Sequence, residues 1–393
     1  MLLTKPFLLF PMSHSTPPFD FGSVVRDDLF TDRLRETEHL VNNFRIGINT
    51  ILISPRRMGK TSLITKARLM AASPQLRIAA FDAFSCCSEQ DFLTAYAQAV
   101  IKATSSKTAD WLRNARRFLS ALAPEVSIGL DPQSQFSLRF GLKDLPQRAE
   151  DILNLPEAIA LKENFRIVVC IDEFQQISLF ANSDSFLKKL RSVWQHHAQA
   201  CYCLYGSQKH MMNAIFQTPS APFYRFGDLF YLEKIPRSDW ATFIVSRFQA
   251  TGKHISEELA GRIADTADCY SNYVQQLALY VWECTDDNVT EAELQQGVDR
   301  LLASCEPLFI EQTARLARKQ MNFLHALADG LDHGFSEKPV LERYDLTSSA
   351  HVTRARDALL EKDMITIPAR GVARIADPIL KLWLQRRVWP ATA

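Results

Sequence analysis

The stretch Asn49 to Ile64, NTILISPRRMGKTSLI, constrains the fold more than any other part of the chain. Its apolar run Ile51-Leu52-Ile53 has the composition of a strand buried on both faces. A loop follows, Ser54-Pro55-Arg56-Arg57-Met58, and Gly59-Lys60-Thr61-Ser62 then opens a helical pattern. Strand, loop and helix in that order make a P-loop, where backbone N–H groups at a helix N-terminus converge on a chain of phosphates. Ser54 to Ser62 would form the cradle. Gly59 lets the backbone come close, Lys60 reaches the β- and γ-phosphates, and the Thr61 hydroxyl is placed to ligate Mg²⁺. Against the pattern G-x-x-x-x-G-K-S/T, Ser54 stands where the first glycine usually is. That removes some loop freedom and leaves the phosphate-contacting end intact.

A second strand answers the first. Phe165 to Ile171 is continuously apolar apart from Arg166, and it ends in Asp172-Glu173. Carboxylates at the end of a buried strand need a partner. Beside a P-loop that partner is Mg²⁺, held by Asp172 through water, while Glu173 polarises the attacking water as general base. Leu76–Asp82 and Ala200–Tyr205 read as further strands of the same parallel sheet, and Leu229–Leu232 as the last. Ser207, at the polar end of the 200–205 strand, is placed to sense a γ-phosphate or to cap the helix that follows.

Between these strands, Glu89–Lys102 reads as an amphipathic helix with Phe92, Tyr96, Val100 and Ile101 on one side. Val126–Ile128 and Phe136–Leu138 suggest a hairpin, and Arg113, Arg116 and Arg117 a charged helix face. Ahead of the P-loop, a helix over about 33–46 is expected, capped by Thr31 or Asp32. Phe19, Val24, Val25 and Phe30 precede it, where a segment can pass an adenine base or plug the sheet edge.

From Pro236 the pattern is helical only. Ser238-Asp239, Ser256 and the capping box Thr290…Glu293 mark helix starts, and one long helix is expected over about 305–331. Helix, turn, helix over 338–362, then Met364–Ile367 and Val372–Ile375 around Pro368–Gly371, spell a winged helix. Arg354, Arg356 and Arg370 lie on its second helix and wing, nearly balanced by Asp357, Glu361 and Asp363. The chain thus divides into 1–29, an N-terminal extension; 30–235, the P-loop core; 236–304, a helical lid; and 305–393, the winged helix.

With 393 residues, 47% hydrophobic and a net charge of +1, the chain has ample core material and no global field steering it to DNA. DNA contact would have to come from a local patch. The 8 cysteines show no C-x-x-C or zinc spacing, which fits free thiols in a reducing cytoplasm. The apolar start, MLLTKPFLLFPM, lacks a basic n-region and carries Pro6, so it reads as neither signal peptide nor membrane span.

Taken together, these motifs resemble the prokaryotic AAA+-like ATPases of the archaeal-type ATPase family, allied to the STAND NTPases and more distantly to origin-recognition ATPases. The resemblance rests on Pro55-Arg56-Arg57-Met58-Gly59-Lys60-Thr61-Ser62-Leu63 and Ile171-Asp172-Glu173-Phe174-Gln175. Phe30–Arg33, Gly206-Ser207, Pro222–Arg225, Tyr273-Val274-Gln275 and Asp377-Pro378 support it. It implies an α/β additional-strand P-loop core with a parallel sheet, an all-α lid and a C-terminal winged helix, binding ATP and Mg²⁺ between core and lid. It also implies a sensor at Ser207 and an arginine near Arg225 reaching the γ-phosphate in cis or from a neighbouring subunit. The lid segment Cys269–Tyr273 lacks the Gly-x-Pro of many relatives.

The expected activity is Mg²⁺-dependent ATP hydrolysis by a molecular switch that changes conformation or assembly. The sequence contains no recognisable effector module, so the switch would act on a partner chain, with homo-oligomers expected if Arg225 acts in trans. The alternative is a DNA-binding ATPase that loads or remodels proteins on DNA through its winged helix.

Overall fold

The computed structural model describes residues 17–22, 33–105, 127–130, 136–139, 145–367 and 371–390; for 127–130, 136–139 and 145–147 it describes the backbone only. Val24, Val25, Phe30, Thr31, Asp32, Arg113, Arg116, Arg117 and Arg370 lie outside the described residues. Two compact units divide the chain: Asp32–Lys234, and Ile235–Ala393 together with the residues up to Thr31.

The first unit is built on a parallel sheet. Its strands are β1 (Thr50–Ile53), β2 (Leu76–Asp82), β5 (Arg166–Asp172), β6 (Ala200–Gly206) and β7 (Asp228–Tyr231), while β3 (Ser127–Leu130) and β4 (Phe136–Arg139) pair separately as an antiparallel hairpin. The five-stranded order is β2-β5-β6-β1-β7, so β6 is inserted between the P-loop strand and the strand bearing Asp172, the additional-strand arrangement. Every residue of β1 and β6 is buried, as a doubly covered parallel sheet demands. Register does the positioning. Ile53 lies level with Gly206, Ile171 with Leu204, and Asp82 with Asp172, which brings the ends of β1, β5 and β6 to one edge.

Helix α1 (Leu34–Ile46) buries Leu40, Val41 and Phe44 and leaves Leu34 66% exposed. Helix α2 (Lys60–Ala71) leaves the P-loop, and α3 (Glu89–Ala103) buries Phe92, Tyr96, Val100 and Ile101 as its periodicity predicts. Asn154 breaks the next helical stretch into Leu145–Leu153 and Leu155–Glu163.

Under the sheet, Trp194 stacks on Tyr202 with ring centroids 4.0 Å apart. The Tyr202 hydroxyl is 3.1 Å from that of Tyr96 and 2.8 Å from His197 Nδ1, and His197 Nε2 is 3.0 Å from Asn154 Oδ1. Burial pushes the His197 imidazole down from 6.5 to about 4, so the fold holds it neutral. The folded state therefore binds fewer protons than the unfolded chain between those values. The stability that this one group contributes is complete above pH 6.5 and is lost as pH falls towards 4. Urea midpoints at pH 7 and pH 5 should show the drop, and His197→Gln should flatten it. An equally steep drop in the variant would contradict this account.

The second unit is helical with a small hairpin. Its helices are Arg237–Gln249, Glu257–Thr266, Ser271–Cys284 and Glu291–Ala314, followed by Arg318–Ala328, Lys338–Arg343, Ser349–Glu361 and Pro378–Trp383. Strands β8 (Ile365–Thr366) and β9 (Arg374–Ile375) pair antiparallel after the helix-turn-helix, as a wing should. Ser256 caps its helix by accepting from Leu259 N, and the Thr290–Glu293 capping box is formed. Ser238-Asp239 is not a cap; that helix starts at Arg237 after Pro236. The long helix expected over 305–331 is two helices, parted at 315–317, where the Gln320 side chain accepts from Ala317 N at 3.0 Å. Phe19 also departs from expectation. It is 2% exposed within this helical unit, against Phe243 and Phe248, which removes it from any adenine-stacking role. No helix among the described residues is long and apolar enough to cross a membrane.

Candidate active site

The P-loop turns on two left-handed residues, Arg57 (φ +69°) and Gly59 (φ +81°), and Gly59 is the N-cap of α2. The first N–H groups of α2 thus point out of the sheet edge with no intrahelical partner, a ready anion site. Ser54 is fully buried and its N–H donates to Gly206 O at 3.3 Å. It does not adopt a positive φ, so a side chain is tolerated where the motif usually has glycine. Pro55 and Arg56 are exposed, and Met58 is buried. The Met58 carbonyl accepts from Arg33 Nη2 at 3.5 Å, while Arg33 Nη1 donates to Glu233 O at 2.6 Å. This buried arginine ties the P-loop to the exit of β7.

Lys60 stands at the centre of the site. Its ammonium donates to Asp172 Oδ1 at 2.7 Å and Glu173 Oε1 at 3.1 Å, and lies 5.3 Å from the centroid of the Tyr205 ring. Thr61 Oγ1 donates to Asp172 Oδ2 at 3.2 Å. Glu173 takes a left-handed conformation (φ +48°) just past β5. Its Oε2 accepts from Ser207 Oγ at 2.8 Å, from Ser207 N at 3.2 Å and from Gln175 Nε2. The Ser207 hydroxyl therefore goes to Glu173; the next helix, Lys209–Phe216, has Gln208 as its N-cap and no side-chain cap.

The two carboxyls are held differently. Burial pushes Asp172 up, and the neighbouring Glu173 charge adds to that, so Lys60 only partly offsets the rise. Burial acts on Glu173 in the same sense. There it is outweighed by the Lys60 charge and by hydrogen bonds from Gln175, Ser207 and Lys60, and the carboxyl is held below its ordinary range. Glu173 is thus kept ionised, as a water-activating base must be.

Gln175 is a member of this cluster that motif reasoning did not assign. It is 3% exposed, and a Cβ on Gly206 would lie 1.9 Å from its Oε1 and 2.8 Å from Met212 Sδ. Gly206 is therefore the vacancy that lets Gln175 reach Glu173. The sequence signal was the pairing of Glu173-x-Gln175 with a glycine at the end of the neighbouring strand.

Arg225 lies elsewhere. It is exposed, over the Tyr224 ring at 5.3 Å, three residues ahead of β7. Since β7 runs parallel to β1 and begins level with Thr50, Arg225 sits at the end of the sheet where β1 starts. The P-loop is at the other end, roughly 13 Å further along a four-residue strand. That closes the cis route from Arg225 to its own P-loop.

Oxygen donors from Thr61 and Asp172, 3.2 Å apart, suit a hard divalent cation that takes its other ligands from water and phosphate. Among the described residues no cluster of three or more His, Cys, Asp or Glu could hold a metal unaided. The Thr61 and Asp172 oxygens fit Mg²⁺ arriving with a nucleotide.

Solved structures share the fold. A Walker-type ATPase of Pyrococcus abyssi superposes with a TM-score of 0.66 at 14% identity, over 94% of this chain and 99% of that one. The ORC2 protein of Aeropyrum pernix, in its ADPNP–ADP complexes, gives 0.57 at 14% identity over 94% and 99%. Its ADP form gives 0.51 at 14% identity over 95% and 98%. A family model described as a probable winged helix domain matches residues 307–386. No curated protein matches the sequence significantly. The fold, an additional-strand P-loop core followed by helices and a C-terminal winged helix, is the one shared with these archaeal proteins.

Proposed function

We propose that the protein is a Mg²⁺-dependent ATPase working as a cytoplasmic molecular switch of the AAA+/STAND kind. One observation carries the reading: Lys60, Thr61, Asp172, Glu173 and Ser207, drawn from the ends of three neighbouring strands, form one hydrogen-bonded cluster at the N-terminus of α2. Phosphate oxygens compete with Asp172 and Glu173 for the Lys60 ammonium. When Lys60 turns to the phosphates, Glu173 Oε1 loses its donor while Oε2 stays anchored by Ser207 and Gln175. The base is then ionised, oriented and free to take a proton from water. Bound Mg²⁺ would supply charge neutralisation at the β- and γ-phosphate oxygens, with Thr61 and Asp172 as its protein contacts.

Binding of ATP therefore unmasks the group that destroys it, which suits a timed switch. In this reading, residues 236–304 serve as lid and 305–393 as winged helix, and the output is a change of conformation or assembly that acts on a partner chain. The 8 free cysteines fit a reducing cytoplasm. The test is solution size with and without a non-hydrolysable ATP analogue, with phosphate release measured plus and minus DNA. Nucleotide-dependent change without DNA stimulation is expected. Strong DNA stimulation would overturn the switch reading in favour of a DNA-bound remodeller.

A further inference from the structure

We propose that Arg56, within the P-loop itself, is the arginine that meets the γ-phosphate, so that each chain completes its own hydrolytic site. The proposal rests on the ATPase reading above. Arg56 Nε lies 3.5 Å from Ser207 Oγ, which donates to Glu173 Oε2 at 2.8 Å. Lys60 holds the other oxygen of the same carboxylate at 3.1 Å. The Lys60 ammonium thus meets one oxygen of Glu173 directly, and the Arg56 guanidinium stands behind the serine that meets the other. A γ-phosphate held by Lys60 and attacked by water on Glu173 would lie within reach of the Arg56 fork as well.

Arg56 is equipped for that place. It is exposed and makes no ion pair with any carboxylate among the described residues, so its Nη groups are uncommitted. A guanidinium fork binds phosphate oxygens in bidentate fashion, and Ser207 steadies it through Nε without blocking the fork. Arg225, at the far end of the sheet, cannot serve its own chain. In the reaction, the water oxygen bonds to the γ-phosphorus as the bond to the bridging oxygen breaks. The water proton passes to Glu173, the bridging electron pair leaves with ADP, and Arg56 contributes charge alone.

The experiment measures phosphate release at saturating MgATP, together with ADP affinity, for the native chain, Arg56→Ala and Arg56→Lys over a wide range of protein concentration. Arg56→Ala should lose roughly 10²–10³-fold in kcat, with ADP affinity within about threefold of native. Arg56→Lys should fall between the two, and specific activity of the native chain should not rise with concentration. If Arg56→Ala proves unfolded, as loss of ADP binding would reveal, Arg56→Lys decides: a lower kcat at native ADP affinity supports the proposal, and a native kcat overturns it. A native kcat in Arg56→Ala, or activity that rises with protein concentration and vanishes in Arg225→Ala, overturns the cis arginine and leaves the ATPase reading standing. Absence of hydrolysis by the native chain overturns both.

Discussion

Lys60→Ala should bind MgATP about 10²–10³-fold more weakly than the native chain, because it removes charge-assisted hydrogen bonds worth roughly 1.5–3 kcal/mol each. The substitution has a second consequence in the nucleotide-free chain. Lys60 is 7% exposed and is the only cation within ion-pair distance of Asp172 and Glu173, themselves 13% and 20% exposed, among the described residues. Without it, two adjacent carboxylates lose their counter-charge, and the force that holds Glu173 below the ordinary carboxylate range weakens. Lys60→Ala should therefore lower the melting temperature as well as the affinity. Titration calorimetry with MgATP and a thermal melt of the same sample check both. Native affinity in the variant would mean that the phosphates bind elsewhere.

Glu173→Gln should lower phosphate release by roughly 10²–10⁴-fold, the span expected for loss of a general base. Binding should behave in the opposite way. Glu173 Oε2 is a pure acceptor, taking Ser207 N, Ser207 Oγ and Gln175 Nε2. A glutamine can meet those donors only with its carbonyl oxygen, which turns its NH₂ group towards Lys60, a donor facing a donor. Lys60 then has one partner fewer to leave, and MgATP affinity should be unchanged or tighter. Calorimetry and single-turnover phosphate release on one preparation separate the two effects. A variant that turns over at the native rate would remove Glu173 from the chemistry.

Much of this site was legible in the sequence, for a physical reason. A parallel strand buried on both faces is a continuous apolar run, and residues just beyond it must be polar and must have partners. Ile51–Ile53 before Gly59-Lys60-Thr61, and Ile167–Ile171 before Asp172-Glu173, are such runs, and the structure brings their ends together. What stayed hidden depends on contacts across the chain. The reach of Arg33 to Glu233 O, 200 positions away, has no local signature. Gln175 could be read only with Gly206, because the space it fills belongs to another strand. Arg225 shows the reverse: a motif match fixes a residue in the chain order, and only the strand register shows which end of the sheet it occupies. The break at 315–317 contains neither glycine nor proline, so nothing in the sequence marked it.

The proposed function stands or falls on whether this P-loop hydrolyses what it binds. Release of inorganic phosphate from ATP by the purified native chain, with Mg²⁺ and with the metal chelated, tests it most directly. Steady multiple-turnover release is expected in Mg²⁺ and none under chelation. Tight MgATP binding with no phosphate released, or equal release in both conditions, would contradict it.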